Sequence, residues 1–392
     1  MSDTRQPLAA GSADSDGHAA PGLRLSRRRF LHSTGLGLAA AHLATGSASA
    51  QRVPEPPGRK LGWALVGLGS LSINQIMPAF AKCEKSRLVG FVSGSPDKAR
   101  KLALRYGVAE KNIYTYDNYD TIKDNPDIDI IYIVLPNGMH AEYTIRAAKA
   151  GKHVLCEKPM ANTPAECEQM IAASKEAGRK LMVAYRVRYE PYNRALIQSV
   201  REQEIGPLKV VLAEAGFPIG DPTQWRLNRK MAGGGSLMDI GIYALNAARY
   251  LTGEEPVEIG AMEHTDRQDP RFKEVEDTIT FQLRFPSGVL ANGVSSYSAP
   301  FGSFRVVGPK GWVELEPASG YSGLRMRARV GRVLEERFHP VIDHFAAEMD
   351  HLSGCVIDGT EPLTPGEEGW HDLRAMMAIY EAARTGRTVK VT

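Results

Sequence analysis

Cysteine is scarce in this chain: there are four in 392 residues, Cys83, Cys156, Cys167 and Cys355. None stands in CxxC spacing or near paired histidines, which excludes a disulfide scaffold and a structural zinc site, and the four read as buried thiols. An excess of one charge is also missing. Forty-eight Lys and Arg face 45 Asp and Glu, a net charge of +3, and the first fifty residues hold five Arg against three Asp. Beyond them the balance is close to neutral, so no field recruits nucleic acid or an acidic membrane surface. A long hydrophobic run is lacking as well. The apolar stretch at 35–44 is far short of the roughly 20 residues that span a bilayer, so no membrane anchor is expected in the mature form. What is there, 43% hydrophobic and 24% charged residues, is a globular composition long enough for two domains.

The first 23 residues are small and polar, with nothing to pack a core. Then come Ser26-Arg27-Arg28-Arg29-Phe30-Leu31, the mild apolar stretch, and Ala48-Ser49-Ala50. A charged, then apolar, then small-x-small order is a signal peptide, here with a twin-arginine motif. The reading is export in the folded state by the twin-arginine (Tat) machinery, cleavage after Ala50, and a periplasmic mature protein. Residues 1–50 are thus the signal, 51–60 a Pro-rich extended arm, 61–185 a first domain and 186–392 a second.

From Leu61, β-rich runs alternate with helical periodicity. Strands are expected at Trp63–Val66, Arg87–Val92, Ile128–Leu135, His153–Cys156 and Leu181–Tyr185, and helices at Lys98–Tyr106, Ala141–Ala150 and Ala165–Ala177. This alternation specifies an α/β Rossmann fold, a doubly wound parallel sheet. Beyond 186 a helix at Ser236–Tyr250 precedes successive strands at Val257–Met262, Asp277–Phe285, Val289–Ser296, Ser303–Val307 and Trp312–Leu315. Strands without intervening helices pair antiparallel, so an α+β domain with a mostly antiparallel open sheet is expected there. Helices near His339–Ile357 and Glu367–Ala383 close the chain.

Gly67-Leu68-Gly69-Ser70-Leu71-Ser72 follows the first strand and opens a helix. Gly67 suits a tight turn, and Gly69 lets backbone approach a pyrophosphate on the helix N-terminus. Ser72 replaces the third glycine of the dinucleotide fingerprint. The second strand ends on Ser93-Gly94 where NAD-selective proteins carry an acid; with Lys98 nearby, this end favours the 2′-phosphate of NADP. Asp97 could still face the ribose. Further strand ends carry Pro136-Asn137-Gly138-Met139-His140 and Glu157-Lys158-Pro159, and Gly233-Gly234-Gly235-Ser236-Leu237-Met238-Asp239-Ile240-Gly241-Ile242-Tyr243 enters a helix. Asp239 and Tyr243 are four apart and share a helical face. Tyr185, Arg186 and Tyr189 lie just past the last parallel strand, where pocket and structural roles are both open.

At these residues, with Gln224-Trp225-Arg226 and Tyr380-Glu381-Ala382-Ala383-Arg384-Thr385-Gly386-Arg387, the sequence resembles the glucose-fructose oxidoreductase family, a branch of the Gfo/Idh/MocA dehydrogenases, over essentially all of 61–390. An aldose-aldose variant is equally compatible. The resemblance implies Lys158 and Tyr243 as the catalytic pair and Asp239 as a ligand of sugar hydroxyls; NADP, tightly bound and non-dissociating on the export argument below, is the expected cofactor. It also implies Glu157, Asn137, His140, Trp225 and Arg226 around the nicotinamide and sugar. With Gly67, Leu68, Gly69, Ser70, Leu71, Ser93, Gly94, Lys98, Pro136 and Arg186, these make up the expected cofactor site; no metal is expected. The arm looks shorter than the one through which the best-known members join subunits, and a homo-oligomer, dimer or tetramer, is expected. For His140 a core or capping role is an open alternative, and for Asp239 a salt bridge.

The chemistry asks for such residues. Oxidising a sugar hydroxyl needs a base for its proton, and a tyrosine near pKa 10 serves only if a neighbouring cation lowers it, the part expected of Lys158. Free NADP is not regenerated outside the cytoplasm, so an exported enzyme should keep its cofactor and pass hydride from an aldose to a second sugar by a ping-pong cycle. Alternatives are an exported NAD-dependent glycoside hydrolase, an ordinary NADP-dependent sugar dehydrogenase, and a non-catalytic dinucleotide sensor.

Overall fold

The computed structural model describes residues 58–391. The expected signal segment and most of the expected Pro-rich arm lie outside the described residues. Two sheets organise the rest. The first has six parallel strands, β1 (Leu61–Val66), β2 (Ser86–Val92), β3 (Ile113–Tyr114), β4 (Ile130–Ile133), β5 (His153–Glu157) and β6 (Leu181–Ala184), in the order β3-β2-β1-β4-β5-β6. The order reverses between β1 and β4, and ligands of such sheets bind outside the strand carboxyl ends at that switch point. The two-residue β3 is too short to leave a periodic signal and was not foreseen.

The second sheet has nine strands: β7 (Val210–Gly216), β8 (Glu258–His264), β9 (Thr278–Arg284), β10 (Leu290–Ser296), β11 (Phe301–Gly308), β12 (Gly311–Leu315), β13 (Met326–Val330), β14 (Val333–Arg337) and β15 (Val389–Lys390). Their order is β14-β13-β12-β11-β7-β10-β9-β8-β15. The sheet is largely antiparallel as expected, with one correction: β7 and β10 run parallel. The helix Ile242–Thr252 lies between them in sequence and supplies the long connection that a parallel pair requires. β7, β13, β14 and β15 were not anticipated. In the outer hairpin β13 alternates Met326, Ala328 and Val330 with Arg327 and Arg329 over only five residues, and β14, Val-Leu-Glu-Glu-Arg, is largely exposed and carries no alternation to read.

The helix His344–Asp358 returns to the first sheet, where Phe345, Met349 and Leu352 pack with Trp63, Leu65, Phe91, Ile130 and Tyr132. Fully burying apolar side chains of this size contributes about 1.5–3 kcal/mol each. Polar bonds fix the docking: Trp63 Nε1 donates to Ser353 Oγ at 3.1 Å, and Asp350 accepts from the Lys85 amide at 2.9 Å and the Ser86 hydroxyl at 2.8 Å. This return sets the helix in one core with Tyr132 of β4, Leu155 of β5 and Met182 and Ala184 of β6. All four cysteines are buried and free. Among the described residues no helix is long and apolar enough to cross a membrane.

Candidate active site

The loop after β1 is shaped by sterics. Gly67 has φ +93°, and a Cβ there would collide with the carbonyl oxygen of Val134 on the neighbouring strand. Gly69 is exposed and open, with no atom within 4 Å of where a Cβ would stand. The helix that follows makes its bond from the Ile73 amide to the Gly69 carbonyl at 3.1 Å, so the amides of Ser70 and Leu71 belong to its unsatisfied first turn. Ser72 is buried and its hydroxyl donates to the Gly67 carbonyl at 2.6 Å, tying loop to helix where the fingerprint has glycine. Leu68 is buried in the core, so this residue offers a ligand its backbone alone.

At the end of β2, Ser93 is buried and accepts from the Ser95 amide at 3.1 Å, and Gly94 lies under the Tyr116 ring. Lys98 Nζ donates to the Leu68 carbonyl at 3.4 Å, placing a cation at the glycine loop. Asp97 is turned along its helix to Arg100, at 3.3 Å. An open glycine cradle, a helix N-terminus, a cation and a strand end without an acid are a donor set that fits a phosphorylated dinucleotide.

The second cluster forms where β5 meets the glycine-rich helix. Lys158 Nζ donates to the Asp239 carbonyl at 2.5 Å, stands 3.7 Å from Asp239 Oδ1 and lies 4.7 Å from the centroid of the Tyr243 ring. Asp239 Oδ2 accepts from Arg226 Nε at 3.0 Å and from the Tyr297 hydroxyl at 3.1 Å, and the Arg226 guanidinium stacks on Trp225 at 4.6 Å. Burial would raise the Asp239 pKa, but Arg226 and Lys158 together hold it below the usual carboxylate value. Lys158 is pulled below the ordinary lysine value by burial, against the opposing pull of Asp239 and Glu157. Asp239 divides its charge between two cations, so it does not fully offset the cost of burying one.

Tyr243 differs from expectation. Burial pushes its pKa up to about 12, and the charge that opposes this most is that of Arg186. Lys158 faces the ring rather than the oxygen, so it does not lower this phenol as the sequence argument required. Arg186 was placed at the cofactor from sequence. Its guanidinium carbon is 5.2 Å from the Tyr243 centroid and 4.5 Å from that of Tyr321, and it donates to the carbonyls of Ser319 at 2.5 Å and Gly320 at 3.2 Å. Tyr321, 53% exposed, thus borders the cluster.

Other expected pocket residues are turned inward. His140 is fully buried between two carbonyls, Nδ1 at 2.9 Å from that of Pro159 and Nε2 at 2.8 Å from that of Leu135. This corrects its placement at the cofactor: the ring has no exposed surface, burial lowers its pKa, and the neutral ring donates to one of these two backbone carbonyls. Asn137, next to half-buried Pro136, donates to the Ala232 carbonyl at 2.9 Å and joins the β4 loop to the glycine-rich segment. Glu157 is buried, accepts from the Tyr132 hydroxyl at 2.7 Å and has its pKa raised by burial.

Three consecutive glycines are required before Ser236. Gly233 has φ +78°; a Cβ on Gly234 would meet the Tyr380 hydroxyl, and one on Gly235 the Glu276 backbone. The Glu276 carboxylate accepts from the Gly235 amide at 2.7 Å, the Leu237 amide at 3.0 Å and the Tyr380 hydroxyl at 2.9 Å. It thereby caps the helical segment carrying Asp239 and Tyr243. Sequence reasoning missed Glu276, Tyr297 and Tyr321, which lie on separate loops of the second sheet. The motif around Tyr380 was a signal without an assigned partner.

Comparisons with known proteins follow this geometry. Residues 61–185 match the oxidoreductase family with NAD-binding Rossmann fold, and residues 193–314 match the GFO/IDH/MocA C-terminal domain. The structure of an aldose-aldose oxidoreductase from Caulobacter crescentus, complexed with glycerol, is 56% identical with a TM-score of 0.84, covering 85% of this chain and 100% of that one. A D-xylose 1-dehydrogenase [NADP(+)] from Haloarcula marismortui is 33% identical over 338 residues, 84% of this chain and 92% of the relative. A 1,5-anhydro-D-fructose reductase from Ensifer adhaerens is 27% identical over 347 residues, 84% and 98%.

Proposed function

This chain belongs to the Gfo/Idh/MocA oxidoreductase family, and from that membership we propose an NADP-linked sugar oxidoreductase that oxidises an aldose to its lactone and reduces a second sugar, an aldose or fructose, to a polyol. The observation that carries this reading is the cluster of Lys158, Asp239, Arg226 and Tyr243 at the end of β5, in a fold whose switch-point loop is an open glycine cradle.

When bound, NADP supplies the acceptor and, once reduced, the donor of hydride. Its phosphates would be held by the amides at Gly69, Ser70 and Leu71, and a 2′-phosphate by Ser93, Gly94 and Lys98. Asp239, kept ionised chiefly by Arg226, accepts hydrogen bonds from sugar hydroxyls. Lys158, its pKa lowered by burial, is the base that relieves the reacting hydroxyl of its proton. Tyr243, protonated across the neutral range, is suited to donate a proton to the carbonyl oxygen of the second sugar. Arg226 and Trp225 hold Asp239 in place, and Tyr321 closes one side of the pocket.

The twin-arginine motif supports export of the folded protein to the periplasm, where no NADP pool regenerates the cofactor. Tight retention of NADP and a two-sugar cycle follow from that location. The test is the absorbance of the purified, desalted mature protein. A band at about 340 nm that rises with glucose and falls with a second sugar supports retained cofactor and the coupled cycle. A band seen only after NADP is supplied makes the protein an exchanging sugar dehydrogenase, and nitrophenol release from aryl glycosides makes it a hydrolase.

A further inference from the structure

Tyr185 stands between β6 and Arg186, and it has no exposed surface. Its hydroxyl donates to Asp372 Oδ2 at 2.5 Å. Asp372, on the helix Gly366–Thr385, is equally buried, and its carboxylate takes two more donors from the helix Ile242–Thr252 that carries Tyr243. These are Asn246 Nδ2, at 3.0 Å from Oδ2, and Arg249 Nη1, at 2.6 Å from Oδ1. Burial raises the Asp372 pKa to about 6 against the opposing charge of Arg249, which leaves the group ionised in neutral and alkaline solution. A buried carboxylate persists only where donors satisfy it, and here all three come from the two segments that carry Arg186 and Tyr243. Asp372 has a fixed seat, because the chain leading into its helix is joined to β6. The Val183 amide donates to the Thr364 carbonyl at 2.8 Å, and the Thr364 hydroxyl to the Val183 carbonyl at 2.7 Å.

Asn246 lies one turn beyond Tyr243 on the same helical face, and Arg186 is the residue after Tyr185. One carboxylate therefore fastens both the neighbour of Arg186 and the helix of Tyr243, whose guanidinium carbon and ring centroid stand 5.2 Å apart. We propose that Asp372 is a positioning residue that holds Arg186 and Tyr243 at the separation in which the tyrosine gives its proton to the carbonyl oxygen of the second sugar. It acts through those two residues and, being without exposed surface, meets no sugar itself. The proposal rests on the two-sugar reading above, in which Tyr243 is the proton donor of the second half-reaction. The groups that serve the first are secured elsewhere. Arg226 and Tyr297 hold the Asp239 carboxylate, Glu276 holds the turn before it, and Lys158 is bonded to the Asp239 carbonyl. Loss of the joint at Asp372 should therefore fall on the second half-reaction.

The experiment measures the two half-reactions separately by rapid mixing at mildly alkaline pH. Enzyme loaded with NADP is mixed with glucose, enzyme loaded with NADPH is mixed with glucose or fructose, and the absorbance at about 340 nm is followed. Tyr185→Phe and Asn246→Leu each cut one arm of the joint and nearly keep its volume. In both, Arg186 retains its bonds to the carbonyls of Ser319 and Gly320, so that wall of the pocket stays in place. Each variant is expected to slow the second half-reaction about tenfold or more and the first by no more than about twofold, with half-saturating sugar concentrations unchanged. Breaking either arm releases the joint, so the double variant should be about as slow as the slower single one. A purely structural role would lower the denaturation midpoint and leave the rates of the folded protein at the wild-type level. That result overturns the proposal, as do equal slowing of both half-reactions and a double variant whose effect is the product of the two. Should Asn246→Leu not fold, Asp372→Asn takes its place and the asymmetry between the half-reactions decides. If the wild type performs neither half-reaction, the two-sugar reading fails and the proposal with it. Wild-type turnover of both sugars with symmetric slowing in the variants defeats the proposal alone.

Discussion

The guanidinium of Arg186 lies 5.2 Å from the centre of the Tyr243 ring and is the charge that most favours the phenolate there, while Lys158 sits over the ring face at 4.7 Å. The two cations that flank the tyrosine therefore divide their work. Arg186→Met leaves the burial that raises the Tyr243 pKa without its main opponent and frees the loop held at Ser319 and Gly320. We expect kcat/KM for both sugars to fall about a hundredfold or more, a typical share for a positioned acid or base. Arg186→Lys should recover little of this, since one ammonium cannot reach both carbonyls in fork geometry. Steady-state kinetics of the two variants check it.

Lys158 gives the pH dependence its sign. Its pKa is lowered from the ordinary lysine value by burial, and as a base it works only when unprotonated. Sugar oxidation by the holoenzyme should therefore accelerate as pH rises toward that pKa, and reduction of the second sugar should be favoured as pH falls. Lys158→Met is expected to flatten the alkaline rise and lower kcat by about 10²–10⁴-fold. Single-turnover traces of nicotinamide absorbance from neutral to alkaline pH provide the test, and an unchanged rise in the variant would remove Lys158 as the base.

Glu276 and Tyr380 form a clamp on the glycine-rich turn, and the bond between them at 2.9 Å predicts that their substitutions are not independent. Glu276→Gln places an amide donor against backbone donors, leaving one of the Gly235 and Leu237 amides without an acceptor. The cost is about 1–3 kcal/mol of stability. Tyr380→Phe alone should cost about 1 kcal/mol, and the double variant less than the sum of the two. Misplacement of Asp239 and Tyr243 should also lower kcat for the sugars while NADP affinity holds. A double-mutant cycle with denaturant titration, together with cofactor binding, tests both halves of the claim.

The first sheet was legible because a parallel strand buried on both faces reads as an apolar run, as in Ile130–Ile133, and because Gly67 and Gly69 mark the turn that follows one. Lys158, Asp239 and Tyr243 were found because motifs place them on elements that converge. The residues that tune them were hidden for a physical reason. Tyr297 and Tyr321 reach the cluster from the residue just after β10 and from the β12–β13 connection, and no periodicity in sequence encodes such meetings. His140 shows the converse, a residue just past a strand end whose ring turns into the core to lie between the carbonyls of Leu135 and Pro159.

Acid sensitivity should come from histidines held neutral. Burial lowers the pKa of His153 from 6.5 to about 4, with the charges of Arg179 and Lys180 adding to it, and burial with the charge of Arg186 does the same for His344. Between those values the unfolded chain binds protons that the folded chain refuses, so stability is full above the unfolded value and is lost as pH falls from 6.5 toward 4. At about pH 5 each histidine contributes a loss of at most about 2 kcal/mol by proton linkage, somewhat less for the partly exposed His153. Denaturant midpoints of the purified protein should drop over this range. His344→Gln cannot be protonated and should remove the share of the drop that His344 contributes while keeping a polar group beside Arg186. If the midpoint of that variant falls with pH as steeply as that of the wild type, the loss lies with other groups. A buried carboxyl whose pKa is raised, such as Glu157, is not among them: it acts in the opposite direction, stabilising the fold as pH falls, so it can only offset the histidine effect.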